Sequence, residues 1–139
     1  MKMPEQRNKN EKPNVSYMSK KILIIDDDSK NIFALNATLK TKGYQCLAAA
    51  SAQDGIQLLK NEPGIGIVLM DMMMPDMDGY EAIEVIRKDE ALTHLPIIAV
   101  TAQAMVGDKE KCLAAGASEY VSKPIDVDVL LKLLGHYLN

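Results

Sequence analysis

The sequence predicts an α/β fold, a parallel sheet with helices packed on both of its faces. Three observations predict it. Short β-branched runs alternate five times with stretches of helical spacing. The runs are apolar throughout rather than every second residue, the mark of strands buried on both faces. Five such alternations fit within about 120 residues, which suits the flavodoxin-like (βα)5 order 2-1-3-4-5.

Each element can be justified in turn. "KILII" (21–25) is the first strand. "SKNIFALNATLKTKG" (29–43) sets Ile32, Leu35 and Leu39 at helical spacing, with Ser29 as the N-cap and Gly43 as the stop. "YQCLAAA" is a weaker second strand, and "AQDGIQLLKN" a short helix that tolerates Gly55 at some cost. "GIGIVLM" is the third strand. "YEAIEVIRKDE" is a helix with Ala82, Ile83, Val85 and Ile86 turned inward. "PIIAVT" (96–101) opens on a proline, where a strand accepts one. "MVGDKEKCLAAG" is the fourth helix, ended by Gly116, and "EYVSK" the fifth strand. "DVDVLLKLLGHYL" is the last helix, with Val129, Leu130, Leu133 and Leu134 inward.

Bulk properties set outer limits. The chain has 139 residues and a net charge of −3, the size of one domain able to bury a core unaided. Residues 1–19 hold four basic and two acidic side chains, so they carry +2 and the other 120 residues carry −5. That first stretch is polar, with two prolines and three asparagines, and reads as a disordered tail before a domain at 20–139. No basic stripe points to nucleic acid. No apolar run nears the ~20 residues of a membrane span, and the start lacks the apolar core of a secretory signal, so a cytoplasmic chain is expected. Cys46 and Cys112 lack metal or redox spacing and read as buried free thiols.

The chemistry is read from the strand ends. The first strand ends in Asp26-Asp27-Asp28, the third in Asp71, the fourth in Thr101 and the fifth in Lys123-Pro124. Strands 1 and 3 are neighbours in the expected order, so their carboxylates meet at the carboxyl edge, where such sheets place their sites. Carboxylates so close repel one another. A hard cation relieves that, and an all-oxygen set with few carboxylates suits Mg²⁺. Add a hydroxyl and a lysine, and the set can stabilise a transferring phosphoryl group while a carboxylate attacks it. "IVLMDMMMPDMDG" (67–79) then makes sense. The strand delivers Asp71 as a rigid nucleophile, and the turn lets the backbone carbonyl of Met73 face the metal.

"ILIIDDD", "VLMDMMMPDMDG", "IIAVTAQAM" and "GASEYVSKP" together resemble the receiver domain of two-component response regulators. The likeness runs from residue 21 to about 138. It implies that Asp71 is the phosphoacceptor, Asp27 a direct Mg²⁺ ligand, and Asp26 a ligand through water. Met73 would bind through its carbonyl. Thr101 would be the switch hydroxyl, Lys123 the phosphate-pairing lysine and Tyr120 the aromatic switch residue. Pro124 would follow a cis peptide, and small Ala102 would leave room for a phosphodonor. The implied donor is a histidine kinase or histidine phosphotransfer protein. The implied output is a downstream protein that reads helix 4, strand 5 and helix 5, with "QAMVGDKEK" as the moving part. "DDDSKNIFAL" and the stretch from Ala104 to Leu134 look like receivers of hybrid histidine kinases. With no kinase helices, ATP-binding segment or DNA-binding domain, the chain reads as a free-standing receiver or one cut from a longer protein.

Other residues receive plainer readings. Asp28 opens the first helix, where its charge suits the helix dipole. Asp76 and Asp78 are turn chemistry. The methionines from Met70 to Met77 fill gaps rather than bind a soft metal. Phe33 lies off the apolar stripe and is expected to be exposed near the acidic edge, where it would help dock a histidine-bearing helix. Met73 and Gln103 flank the approach of water and would tune the lifetime of the phosphoryl group. A hydrolase working through an aspartyl phosphate needs a second carboxylate two residues past the nucleophile, and Met73 stands there instead. A flavin carrier needs a Ser/Thr/Gly-rich loop after the first strand, where this chain has acids. A phosphorylation-independent binding module would be favoured if Asp26, Asp27, Thr101 or Lys123 were missing.

Overall fold

The computed structural model describes residues 20–102 and 106–139. The expected tail at 1–19, and Gln103, lie outside the described residues. Five parallel strands, β1 (Lys21–Ile25), β2 (Gln45–Ala49), β3 (Ile65–Asp71), β4 (Ile97–Thr101) and β5 (Glu119–Ser122), form one sheet in the order β2-β1-β3-β4-β5. The helices between and after them are α1 (Ser29–Thr41), α2 (Ala52–Asn61), α3 (Gly79–Lys88), α4 (Asp108–Ala115) and α5 (Val127–Leu138), with a 3₁₀ turn at Glu90–Leu92. This is the expected doubly wound fold.

Two cores flank the sheet, and the strands sort residues between them with the period of two that a pleated strand imposes. Leu23, Ile25, Val68 and Met70 face one core, closed by α2, α3 and α4 through Ile56, Ile83 and Cys112. Ile22, Ile24, Ile67 and Leu69 face the other, closed by α1 and α5 through Leu39, Leu130 and Leu134. Burying both faces demands the continuous apolar runs seen in the sequence.

The structure corrects several details. The N-cap of α1 is Asp28, whose carboxylate accepts from the Lys30 amide, and Ser29 is already helical. Val85 and Val129 are exposed; each sits at the margin of its helix's apolar stripe, and the stripe needs only Ala82, Ile83 and Ile86 in α3, or Leu130, Leu134 and Leu138 in α5. Helix α4 begins at Asp108, later than expected, because Gly107 adopts φ +86°, a left-handed conformation that helix interiors do not share. Cys112 is buried, but Cys46, on the outer strand β2, is only partly covered. Both thiols are free. Among the described residues no helix is long and apolar enough to cross a membrane.

Candidate functional site

Three strand ends and the residues just past them build the site. β1 releases Asp26 and Asp27, β3 ends in Asp71, and β5 leads into Lys123. Carboxylate oxygens of Asp26, Asp27 and Asp71 lie within 4.8 Å of one another. Asp26 and Asp71 are only 4% and 5% exposed, whereas Asp27 is open to solvent. The Lys123 ammonium stands 3.6 Å from Asp26 Oδ2 and 3.6 Å from Asp71 Oδ1. Thr101 is buried at the end of β4, and the Lys123–Pro124 peptide bond is cis.

Backbone amides fix the two buried carboxylates. The Asp28 amide donates to Asp26 Oδ1 at 2.8 Å, and the Met73 amide donates to Asp71 Oδ1 at 3.1 Å. Each is the amide two residues on, as the chain turns back over its own side chain. The close turn after Asp71 depends on Gly79. A Cβ there would meet the Met72 Cα at 2.7 Å and the Asp71 carbonyl oxygen at 3.0 Å, so only glycine lets α3 start this close to β3. Asp78 caps that helix by accepting from the Glu81 amide.

The site carries an excess of negative charge. Burial pushes the Asp71 carboxyl up to about 6, and the Asp26 charge adds to the rise. The Met73 amide and Lys123 pull it back only in part. One ammonium does not balance three carboxylates. The donors are all oxygens, which fits a hard cation such as Mg²⁺ and not a soft metal. Beside the cluster, between α1 and α5, opens a cavity of about 510 Å³ reached by Asp26, Asn31, Leu35, Asp71 and Lys123.

The sequence-predicted residues Asp26, Asp27, Asp71 and Lys123 thus converge, and Thr101 lies on the strand next to Asp71. Asp76 and Asp78 stay outside the cluster. Tyr120 lies on β5 and packs against the core that α2, α3 and α4 close. Phe33 is 76% exposed on α1. The sequence does not single out Asn31, whose amide donates to Asp26 Oδ2 at 3.4 Å. The available signal was a polar side chain in the first turn of the helix that follows the acidic strand end.

A parallel sheet with an acidic cluster and a lysine at its carboxyl edge places the chain among doubly wound α/β domains, which work at that edge. The chain belongs to the response regulator receiver domain family, whose model matches residues 22–135. It is 33% identical over 122 residues to the polar-differentiation response regulator DivK of Brucella ovis, covering 88% of this chain and 98% of that one. Among solved structures it resembles the CheY-like receiver domain protein of Methanospirillum hungatei (33% identity, TM-score 0.77, 86% and 93% covered). It also resembles chemotaxis protein CheY4 of Vibrio cholerae (26% identity, TM-score 0.79, 86% and 98% covered).

Proposed function

We propose that this receiver accepts a phosphoryl group from a phosphohistidine onto Asp71 and thereby switches a partner-binding surface. The observation that carries this reading is the buried Asp71 carboxylate, held at the end of β3 with Lys123 at 3.6 Å and the cavity beside it. An Asp71 oxygen attacks phosphorus as the bond to the donor's imidazole nitrogen breaks. The donor leaves as neutral imidazole after taking up a proton, and Asp71 becomes an acyl phosphate. The Met73 amide holds the nucleophile's carboxylate against rotation. Lys123 follows the growing negative charge on the transferring oxygens.

Mg²⁺ held by Asp26, Asp27, Asp71 and the Met73 carbonyl would offset that same charge. Thr101 and Tyr120 would pass the change to α4, β5 and α5. Phe33, exposed on the helix that borders the cavity, would meet the donor, a histidine kinase or a histidine phosphotransfer protein.

The test is intact-protein mass spectrometry after incubation with acetyl phosphate, with and without Mg²⁺, on wild type and Asp71→Asn. The expected result is one Mg²⁺-dependent phosphoryl adduct that Asp71→Asn lacks. A folded protein that takes up no phosphoryl group and binds no Mg²⁺ would overturn the reading in favour of a phosphorylation-independent binding module.

A further inference from the structure

Among the described residues, one buried carboxylate lies outside the acidic site. Asp108, the first residue of α4, is 9% exposed. Its Oδ1 accepts from the Tyr80 hydroxyl at 2.7 Å, across 28 residues of sequence. Its Oδ2 is buried with no hydrogen-bond partner among the described residues. Buried carboxylates normally fill their acceptor sites, so a half-filled one needs a reason.

The surroundings of this pair are specific. The Cys112 thiol points at the Tyr80 hydroxyl, 3.9 Å away, and the Lys111 ammonium sits 4.3 Å above the Tyr80 ring. Both come from α4, so three of its eight residues hold one side chain of α3. Tyr80 itself cannot yield easily. It follows Gly79, which rests on the backbone of Asp71 and Met72. Tyr120 shares this neighbourhood: burial and then the Asp108 charge hold its phenol above the ordinary value. Asp108 therefore lies between the segment that follows Asp71 and the tyrosine of β5.

We propose that Tyr80 and Asp108 form a latch that holds the first turn of α4 against the segment following Asp71 and limits how far that helix moves when the domain switches. The proposal rests on the functional reading above for the word "switches", but the latch itself is a property of the unphosphorylated protein. Its strength comes from a short, partly buried hydrogen bond to a carboxylate. Burial and then the same carboxylate hold the Tyr120 phenol above its ordinary value, so the tyrosine of β5 is joined to the latch. Asp108 is a positioning residue in this account, since it touches neither the phosphoryl group nor its donor.

The test is amide hydrogen exchange of residues 108–115 in the unphosphorylated protein, run as a double-mutant cycle with Tyr80→Phe, Asp108→Ala and the pair. Tyr80→Phe keeps the ring, its packing and its contact with Lys111, and removes the hydroxyl that donates to Asp108 and faces the Cys112 thiol. It is expected to speed exchange of the Lys111 and Cys112 amides, the first that α4 protects, by roughly tenfold, leaving α1 and α5 at wild-type rates. Asp108→Ala should add little once Tyr80→Phe is in place. Wild-type exchange in Tyr80→Phe, or strictly additive effects in the pair, would overturn the latch. Acetyl phosphate labelling of the same variants separates the two readings. Failure of labelling in wild type itself would count against the functional reading alone, because the exchange cycle does not depend on phosphorylation.

Discussion

The two edges of the sheet each bury charge, and they treat it in opposite ways. At the amino edge, the Arg87 guanidinium at the end of α3 donates to the carbonyls of Gly116, Leu92, Thr93 and Leu95 and to the Ser118 hydroxyl, at 2.6 to 3.4 Å. Neutral oxygens from two turns surround one cation, and those turns lead into β4 and β5. At the carboxyl edge, three carboxylates gather, one lysine bridges only Asp26 and Asp71, and those two still repel each other. A charge whose hydrogen bonds are complete is scaffold. A cluster left with an excess of one sign is where a ligand or a reaction has work to do.

The largest break in this contrast comes from Arg87→Ala. It strips several half-buried carbonyls of their donor at once and should cost about 4 kcal/mol. Urea unfolding would register the loss, while acetyl phosphate should still label Asp71 at a temperature where the variant is folded. Loss of labelling in the folded variant would show that the two edges are not independent.

Asp71→Asn should do the reverse and stabilise the cation-free protein. The Asp71 carboxyl is raised from 3.8 to about 6 on folding. Below pH 4 both the folded and unfolded chains hold the proton, and there is no penalty. Between pH 4 and 6 the unfolded chain releases its proton first, so stability falls as pH rises. Above pH 6 the full cost stands, up to about 3 kcal/mol. Asparagine carries no charge at any pH. The variant's advantage should therefore appear above pH 6, vanish below pH 4 and narrow when Mg²⁺ is added. A pH-independent difference between the two proteins would refute the charge explanation.

Smaller effects sharpen the picture. Met73→Glu places a carboxylate beside the acyl phosphate and should shorten its lifetime by roughly tenfold, measured as decay of the mass adduct. Phe33→Ala should leave stability within about 0.5 kcal/mol. It should slow transfer from a phosphohistidine protein a few-fold while leaving acetyl phosphate labelling unchanged. Equal rates with the protein donor would remove Phe33 from the docking surface.

Most of the carboxyl edge was legible because its logic is local. Apolar runs announce buried strands, and whatever ends them lands on the edge; Asp26, Asp71, Thr101 and Lys123 all follow from that rule. The rest resisted for reasons of geometry. Arg87 binds backbone carbonyls, which every residue carries, so no side-chain pattern reveals the turns that converge on it. Tyr80 and Asp108 meet across 28 positions, through the packing of two helices. Val85 and Val129 are apolar residues at the rim of a helical stripe, where spacing alone does not say whether the neighbouring helix reaches far enough to cover them.

Lys123 stands equally far, 3.6 Å, from carboxylate oxygens on two different strands' ends. A cation shared evenly commits to neither side, so a small imbalance is enough to tip it. Loading Asp71 with a dianionic group would tip it decisively, and the backbone of β5, which ends one residue before Lys123, would feel the tug. The lysine is then a balance beam: charge sits in its pans, and the strand that carries Tyr120 is its pointer.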